Sequence, residues 1–285
     1  MKTIIYSLVA ILIFGMVARG FNRGPENNHV ILIQATGGTT DAATLSKSAD
    51  RITARLRSFG TAGFSVKPVG RNRIQVVLKG DQDISTIEKL ITRKGEAGFY
   101  ETLNFKSLTG LLHGESDLLN LLQSGAPQEL SARIGCTGSA GINKVNAYLK
   151  TAGLDQKCKF AWSSHSGDSD ACLYALRLEY GKGILLRGSD IESCTAKQDS
   201  VQKYNCIDLR FRPAAVGLWS EITKRNINQC IALVLDDEVI FAPSIRSEIN
   251  GGNCEITGNF SLPEVRYMAA IIGNGELPVG FELLK

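Results

Sequence analysis

At 285 residues, 44% hydrophobic and 21% charged, the chain is ordinary globular material, long enough for one large domain or two smaller ones, and a disordered or fibrous reading is excluded. A formal net charge of +4, without a basic run interleaved with aromatics, gives no electrostatic case for nucleic acid.

Lys2 precedes an apolar run from Ile4 to Ala18 that ends at Arg19. The run is short for a membrane span, which usually needs about 20 apolar residues, and Ala18-Arg19-Gly20 offers a small-x-small cleavage site before Phe21. A signal peptide over 1–20 is therefore favoured. The alternative is an uncleaved anchor with Tyr6 and Phe21 near the two interfaces. Residues 21–28 form a linker rich in Gly, Asn and Pro.

Residues 29–34 read as a strand, since Val30, Ile31, Leu32 and Ile33 form a continuous apolar run bounded by Gly37-Gly38. A helix follows, capped by Thr40 or Asp41, with Leu45, Ala49, Ile52, Leu56 and Phe59 on one face and Gly60 at its end. Two short strands, 64–69 and 73–79, are joined through Gly70-Arg71-Asn72. A second helix starts near Asp83, with Ser85-x-x-Glu88 as a capping pattern, and a strand resumes over 98–103. The order βαββαβ predicts a ferredoxin-like arrangement, an antiparallel sheet with helices on one face.

From about Asn104 the chain becomes richer in Gly, Ser and Cys, which predicts a second unit with short strands and helices such as 142–149. Near the end come a helix over 214–226, strands over 231–236 and 239–242 about an Asp236-Asp237 turn, a strand over 255–257, and a helix over 263–272 announced by Ser261 and Pro263.

All seven cysteines lie in the second half: Cys136, Cys158, Cys172, Cys194, Cys206, Cys230 and Cys254. Export would place them where disulfides persist, and an odd count leaves at least one outside any pair. With no C-x-x-C and no histidine at ligand spacing, disulfides outrank zinc. Cys194 and Cys206 sit symmetrically about residue 200 in an expected hairpin, where directly opposite residues have Cα atoms about 4.5 Å apart, so a bridge between them is expected. Cys230 and Cys254, expected on neighbouring strands, are a second candidate pair.

Three segments carry a family resemblance: ALVLDDEVIFAPSI (232–245), GGNCEITGNFSLPEV (251–265) and GNGELPVGFELL (273–284). Together with 73–80, 99–102 and 185–211, they resemble the first periplasmic domain (P1) of the protein translocase subunit SecD and of SecDF. The resemblance implies an α+β chain with a base at 29–103, completed by 275–285, and a head at 104–274, inserted or appended, that moves against the base. It implies a periplasmic role in late protein export in the bacterial envelope, with Sec translocase subunits or unfolded exported polypeptide as partners. No catalytic residue, cofactor or metal is implied, and an envelope scaffold that kept the fold without a translocase role is the alternative. Because only Lys285 follows Leu284, a domain without the transmembrane proton channel is expected. The resemblance makes Asp236, Pro243, Gly251, Gly252, Gly258 and Pro278 structural motif positions. The sequence departs from the family at Asp237, where glycine is usual, at Phe241, where a small residue is usual, and at Glu276, where alanine is usual.

Several chemical readings compete with bland ones. Asp236 and Asp237 read as turn carboxylates accepting local N–H bonds. The run Ser163, Ser164, His165, Ser166, Asp168 and Asp170 reads as a hairpin loop in preference to a hydrolase triad. His29 and His113 lack ligand partners at useful spacing, and Gly135-x-x-Gly138-x-x-Gly141 reads as a flexible loop. Lys47, Arg51 and Arg55, four residues apart, form a stripe that could meet acidic lipid or a partner but reads first as a solvated helix face.

Overall fold

The computed structural model describes residues 28–111, 115–122, 131–153, 158–163, 170–178, 183–199 and 204–284. The expectations for the apolar run 4–18, its cleavage site, residues 21–27 of the linker, His113, and Ser164, His165, Ser166 and Asp168 lie outside these residues.

In chain order the first half contains β1 (Asn28–Ala35), α1 (Ala42–Phe59), β2 (Phe64–Val69), β3 (Arg73–Lys79), α2 (Ile84–Thr92), β4 (Ala97–Leu103), α3 (Phe105–Thr109), α4 (Glu115–Leu121), β5 (Arg133–Gly138) and α5 (Ser139–Thr151). The second half adds β6 (Cys158–Ser163), β7 (Asp170–Arg177), β8 (Ile184–Arg187), β9 (Ile191–Gln198), β10 (Asn205–Phe211), α6 (Pro213–Arg225), β11 (Ile231–Leu235), β12 (Glu238–Phe241), β13 (Asn253–Thr257), α7 (Leu262–Asn274) and β14 (Phe281–Leu283).

Local chemistry explains the helix boundaries. Asp41 and Asp83 each accept an N–H bond from the third residue on, Thr44 and Thr86, so Asp83 caps α2 rather than Ser85. Ser261 and Glu264 form a reciprocal capping box at α7, beside Pro263 in its first turn.

The chain is mixed α+β, and among the described residues its strands form three sheets. The first is antiparallel in the order β14-β1-β3-β2; its inner face, with Ile31, Ile33, Ile74, Val76, Leu78 and Phe281, joins one core with Leu45, Ile52 and Leu56 of α1 and Ile87, Leu90 and Ile91 of α2. We call this unit the base. The expectation that 98–103 closes the base is corrected: β4 pairs with β11, Ala97 opposite Leu235 and Glu101 opposite Ile231. The place beside β1 is taken by β14, which arrives from the other end of the chain with Ala35 opposite Phe281. Burial gives the reason. Six of the seven residues of β4 are buried, as in a strand covered on both faces, whereas β14 turns Phe281 inward and Glu282 outward to suit a sheet covered on one face.

The second sheet runs β13-β10-β9, and the third β5-β7-β6-β12-β11-β4-β8; a further β7–β4 pairing lets the third sheet close on itself. We call these two sheets with their helices the head. All five residues of β11 are buried, which suits its place between β12 and β4. The main core runs without interruption from the base through α7 to β9, β10 and α6, where Phe99 meets Phe211 and Trp219 edge to face and the latter two rings lie tilted, at centroid distances of 4.8–5.4 Å. The glycines Gly135, Gly138 and Gly141 do not form a loop; they span the end of β5 and the start of α5.

The cysteine pairing differs from expectation. Gln198 pairs with Asn205, which shifts the β9–β10 turn downstream, so Cys194 faces Leu209 and Cys206 faces Lys197. Cys254 lies opposite Leu209 on the far side of β10, while Cys230 bridges to Ser244 beside a different sheet, so neither expected pair forms. The disulfide instead joins Cys136 and Cys172, direct cross-strand partners on β5 and β7. Burial pushes the Cys194 thiol up to about 12 and the Cys254 thiol up to about 11.

Peptide mapping without reductant should recover Cys136 linked to Cys172; a Cys194–Cys206 linkage would overturn the β9–β10 register. Replacing both Cys136 and Cys172 with alanine should lower stability in urea by about 2–4 kcal/mol. The two raised thiols add an alkaline limit, because a thiol kept neutral by burial gives the native state the higher pKa. Their contribution is complete below the ordinary value of 9.0 and is lost as pH rises through the folded values of about 11 and 12. Urea midpoints of the wild type should therefore fall above pH 9 more steeply than those of Cys194→Ala/Cys254→Ala.

Candidate functional site

Two strands of chain cross side by side between base and head. Residues 93–97 lead from α2 out to β4, and residues 274–280 return from α7 to β14. The crossings are bonded to each other, Leu277 N–H donating to the Lys94 carbonyl at 2.8 Å. Lys94 Nζ also lies 2.8 Å from a Glu276 carboxylate oxygen, and this partner holds the lysine above its ordinary value.

Arg55 of α1 sits against both crossings with no solvent exposure. Its guanidinium donates to the carbonyls of Leu90 at 3.3 Å, Lys94 at 2.8 Å and Gly275 at 2.7 Å, and to that of Arg93. Burial lowers its pKa to about 10, with Asp236 acting in the opposite sense, so the group stays charged at neutral pH. Gly95 is required here: its φ is +83°, and a Cβ would fall 2.3 Å from the Arg55 guanidinium and 2.8 Å from Ile271.

The head contributes the β11–β12 hairpin. Asp236 and Asp237 both have positive φ, 51° and 66°, which gives a two-residue turn of the primed type and accounts for glycine being usual at Asp237. The Asp236 carboxylate does not satisfy its own turn. It accepts N–H bonds from Gly95 at 2.8 Å and Glu96 at 2.7 Å, and pairs with Arg93 Nε at 3.1 Å. Arg93 also donates to the Leu235 carbonyl at 2.9 Å and to Glu238 at 2.6 Å. Burial works against the Arg93 charge, but the Glu238 bond and the neighbouring Tyr267 outweigh it and raise the pKa. Asp236 thus fastens the head to the outgoing crossing 141 positions away in sequence.

The stripe Lys47, Arg51, Arg55 is therefore not one solvated face. Arg55 is buried, Arg51 donates to the Glu276 carbonyl, and Lys47 is exposed. Among the other motif positions, Pro278 lines the groove beside the crossings, and the Pro243 carbonyl accepts from Ile231 N–H at 3.2 Å, extending the β11–β12 hairpin. Gly251 and Gly252 turn the chain into β13, the Gly252 carbonyl accepting from Phe211 at 2.9 Å, and Gly258 leaves β13 against the Phe260 ring. Sequence reasoning missed Arg55, Arg93 and Gly95. A signal was present for Arg55, since it follows Ile52 by three positions on the apolar face.

Residues 173–279 match the family described as the SecDF P1 head subdomain. The likeness to the P1 domain of SecD and SecDF is thereby shown. SecD of Calditerrivibrio nitroreducens is 39% identical over 104 residues, 36% of this chain and 20% of that protein. SecD of Petrotoga mobilis is 24% identical over 268 residues, 90% of this chain and 50% of that protein. The chain thus spans a fifth to half of the length of these relatives. Among solved structures, a chain reported under "Structure and function of a membrane component SecDF that enhances protein export" superposes with TM-score 0.54 at 23% identity, covering 90% of this chain and 98% of the other. SecDF in its super-membrane-facing form gives TM-score 0.57 at 21% identity, covering 91% of this chain and 30% of the other. At these identities the structural likeness establishes the fold. The junction between the two units is where this chain's polar side chains converge.

Arg55→Met should lower stability by at least about 3 kcal/mol, because it removes the donor that the Leu90, Arg93 and Gly275 carbonyls share, and Arg55→Lys should recover little, since an ammonium cannot reproduce the fork. Asp236→Asn keeps a residue that tolerates positive φ but removes the charge facing Arg93, and should cost about 1–2 kcal/mol. Chemical denaturation checks both; an Arg55→Met loss under about 1 kcal/mol would mean that the carbonyls have other donors.

Proposed function

We propose that this chain is a non-enzymatic, periplasmic P1-like domain that binds unfolded exported polypeptide or translocase subunits as an accessory in protein export. The junction carries the reading. Base and head are joined by two adjacent crossings, by α7, which packs on both, and by a small polar cluster around Arg55, Arg93 and Asp236, so reorientation of the head needs the Arg93–Asp236–Glu238 contacts to open and α7 to shift with it. The order β14-β1-β3-β2, packed on α1 and α2, supports a ferredoxin-like base whose last strand comes from the far end of the chain. On the head, β5 and β13 are sheet-edge strands whose backbone groups suit an extended polypeptide, with little demand on its sequence.

One observation favours a second reading, an envelope scaffold without a translocase role. Glu276, where the family usually has alanine, adds a Lys94 ion pair across the two crossings and so ties the head down further.

Crosslinking in the native envelope separates the two. Recovery of translocase subunits or nascent exported chains is expected, with yields that change in Asp236→Asn. Recovery of unrelated envelope proteins alone, or of nothing, would leave the scaffold reading.

A further inference from the structure

Beside the crossings lies a groove of about 450 Å³ with base residues on one wall and head residues on the other. Lys47 and Arg51 enter it from α1, one helical turn apart; Arg187 enters from the end of β8, and Arg212 from the start of α6. Among the described residues none of these four cations has a carboxylate partner. Arg51 donates to the Glu276 carbonyl, and Arg212 Nε to the Ser189 carbonyl at 2.9 Å. Two carboxylates, Glu96 and Glu276, line the same groove and share Lys94 as their partner, so the four cations outnumber the acidic groups there. Glu276 and Glu96 lie 2.8 and 3.9 Å from Lys94, and Asp190 accepts the Arg187 backbone N–H at 2.7 Å. Arg212 is also the N-cap of α6, a 13-residue helix with no side-chain cap, so the positive end of its dipole adds to the field.

We propose that this groove binds a phosphate-class anion that bridges base and head. Three guanidinium groups and an ammonium on opposite walls need several acceptor oxygens and more than one negative charge to satisfy them together. A tetrahedral phosphate group supplies both, whereas a single carboxylate has two oxygens in one plane. Bound there, the anion holds Lys47 and Arg51 of the base to Arg187 and Arg212 of the head, beside the crossings that Arg55 clamps. The ligand is either a soluble phosphate compound or the headgroup of an anionic phospholipid.

The test titrates the full chain with inorganic pyrophosphate by calorimetry and, separately, sediments it with phosphatidylcholine vesicles with and without phosphatidylglycerol. Lys47→Glu and Arg187→Glu, both at exposed positions, should each weaken pyrophosphate binding about tenfold or more, while Lys67→Glu on the outer strand β2 should leave it unchanged. Since 4–18 is apolar, only vesicle binding that the groove variants lose counts; its loss assigns the site to lipid headgroups, and an effect confined to pyrophosphate assigns it to soluble phosphates. Absence of binding to both probes, equal weakening by Lys67→Glu, or tighter binding of a poly-glutamate peptide than of pyrophosphate would each overturn the proposal. Unchanged thermal melting of the variants without ligand separates loss of the site from loss of the fold.

Discussion

A guanidinium taken wholly out of water must find acceptors inside the protein, and Arg55 finds them in backbone carbonyls of both chain crossings. The accepting carbonyls lie at the end of α2 and in the return from α7, where helix termini leave such groups without intrahelical donors. One side chain therefore satisfies two helix ends and holds the outgoing and returning segments at fixed separation. The left-handed backbone at Gly95 and the absence of a side chain there are consequences of that approach.

With the crossings fixed, the division of strands between sheets follows. The chain leaves the base before β4 and returns to it only at β14, so the base sheet is completed by strands from opposite ends of the sequence. Between them the head is built on strands such as β4 and β11, buried on both faces and unsuited to a sheet with one face open to solvent. The two units are not insulated from each other. α7 lies against α1 of the base and β9 of the head, and the main core passes through it. A movement of the head must therefore involve α7 as well as the polar contacts of Arg93 and Asp236.

Electrostatics at the junction are divided by wall. On one side Arg93 is paired with two carboxylates, Asp236 and Glu238, in a partly buried cluster; on the other, Lys47, Arg51, Arg187 and Arg212 leave positive charge open to the groove. The first side fastens the head by contacts within the chain, and the second gives an external anion a way to do the same.

Much of the secondary structure was determined by the sequence alone, because it rests on short-range chemistry. The period of Leu45, Ala49, Ile52 and Leu56, the capping box at Ser261, and the paired aspartates that turn β11 into β12 all act within a few residues of themselves. The motif stretches from Ala232 onward carry the family likeness by themselves, and they lie within or beside the matched residues 173–279. What only the tertiary structure decided is which distant segments meet. β4 looked like the base's last strand until its two-sided burial placed it with β11, and the cysteines paired by strand register rather than by symmetry about residue 200. Asp236 looked like a turn residue satisfying its own backbone, and Arg55 like part of a solvated stripe. Their partners lie 140 and 220 positions away, and no local pattern encodes a contact whose energy depends on burial created by the finished fold.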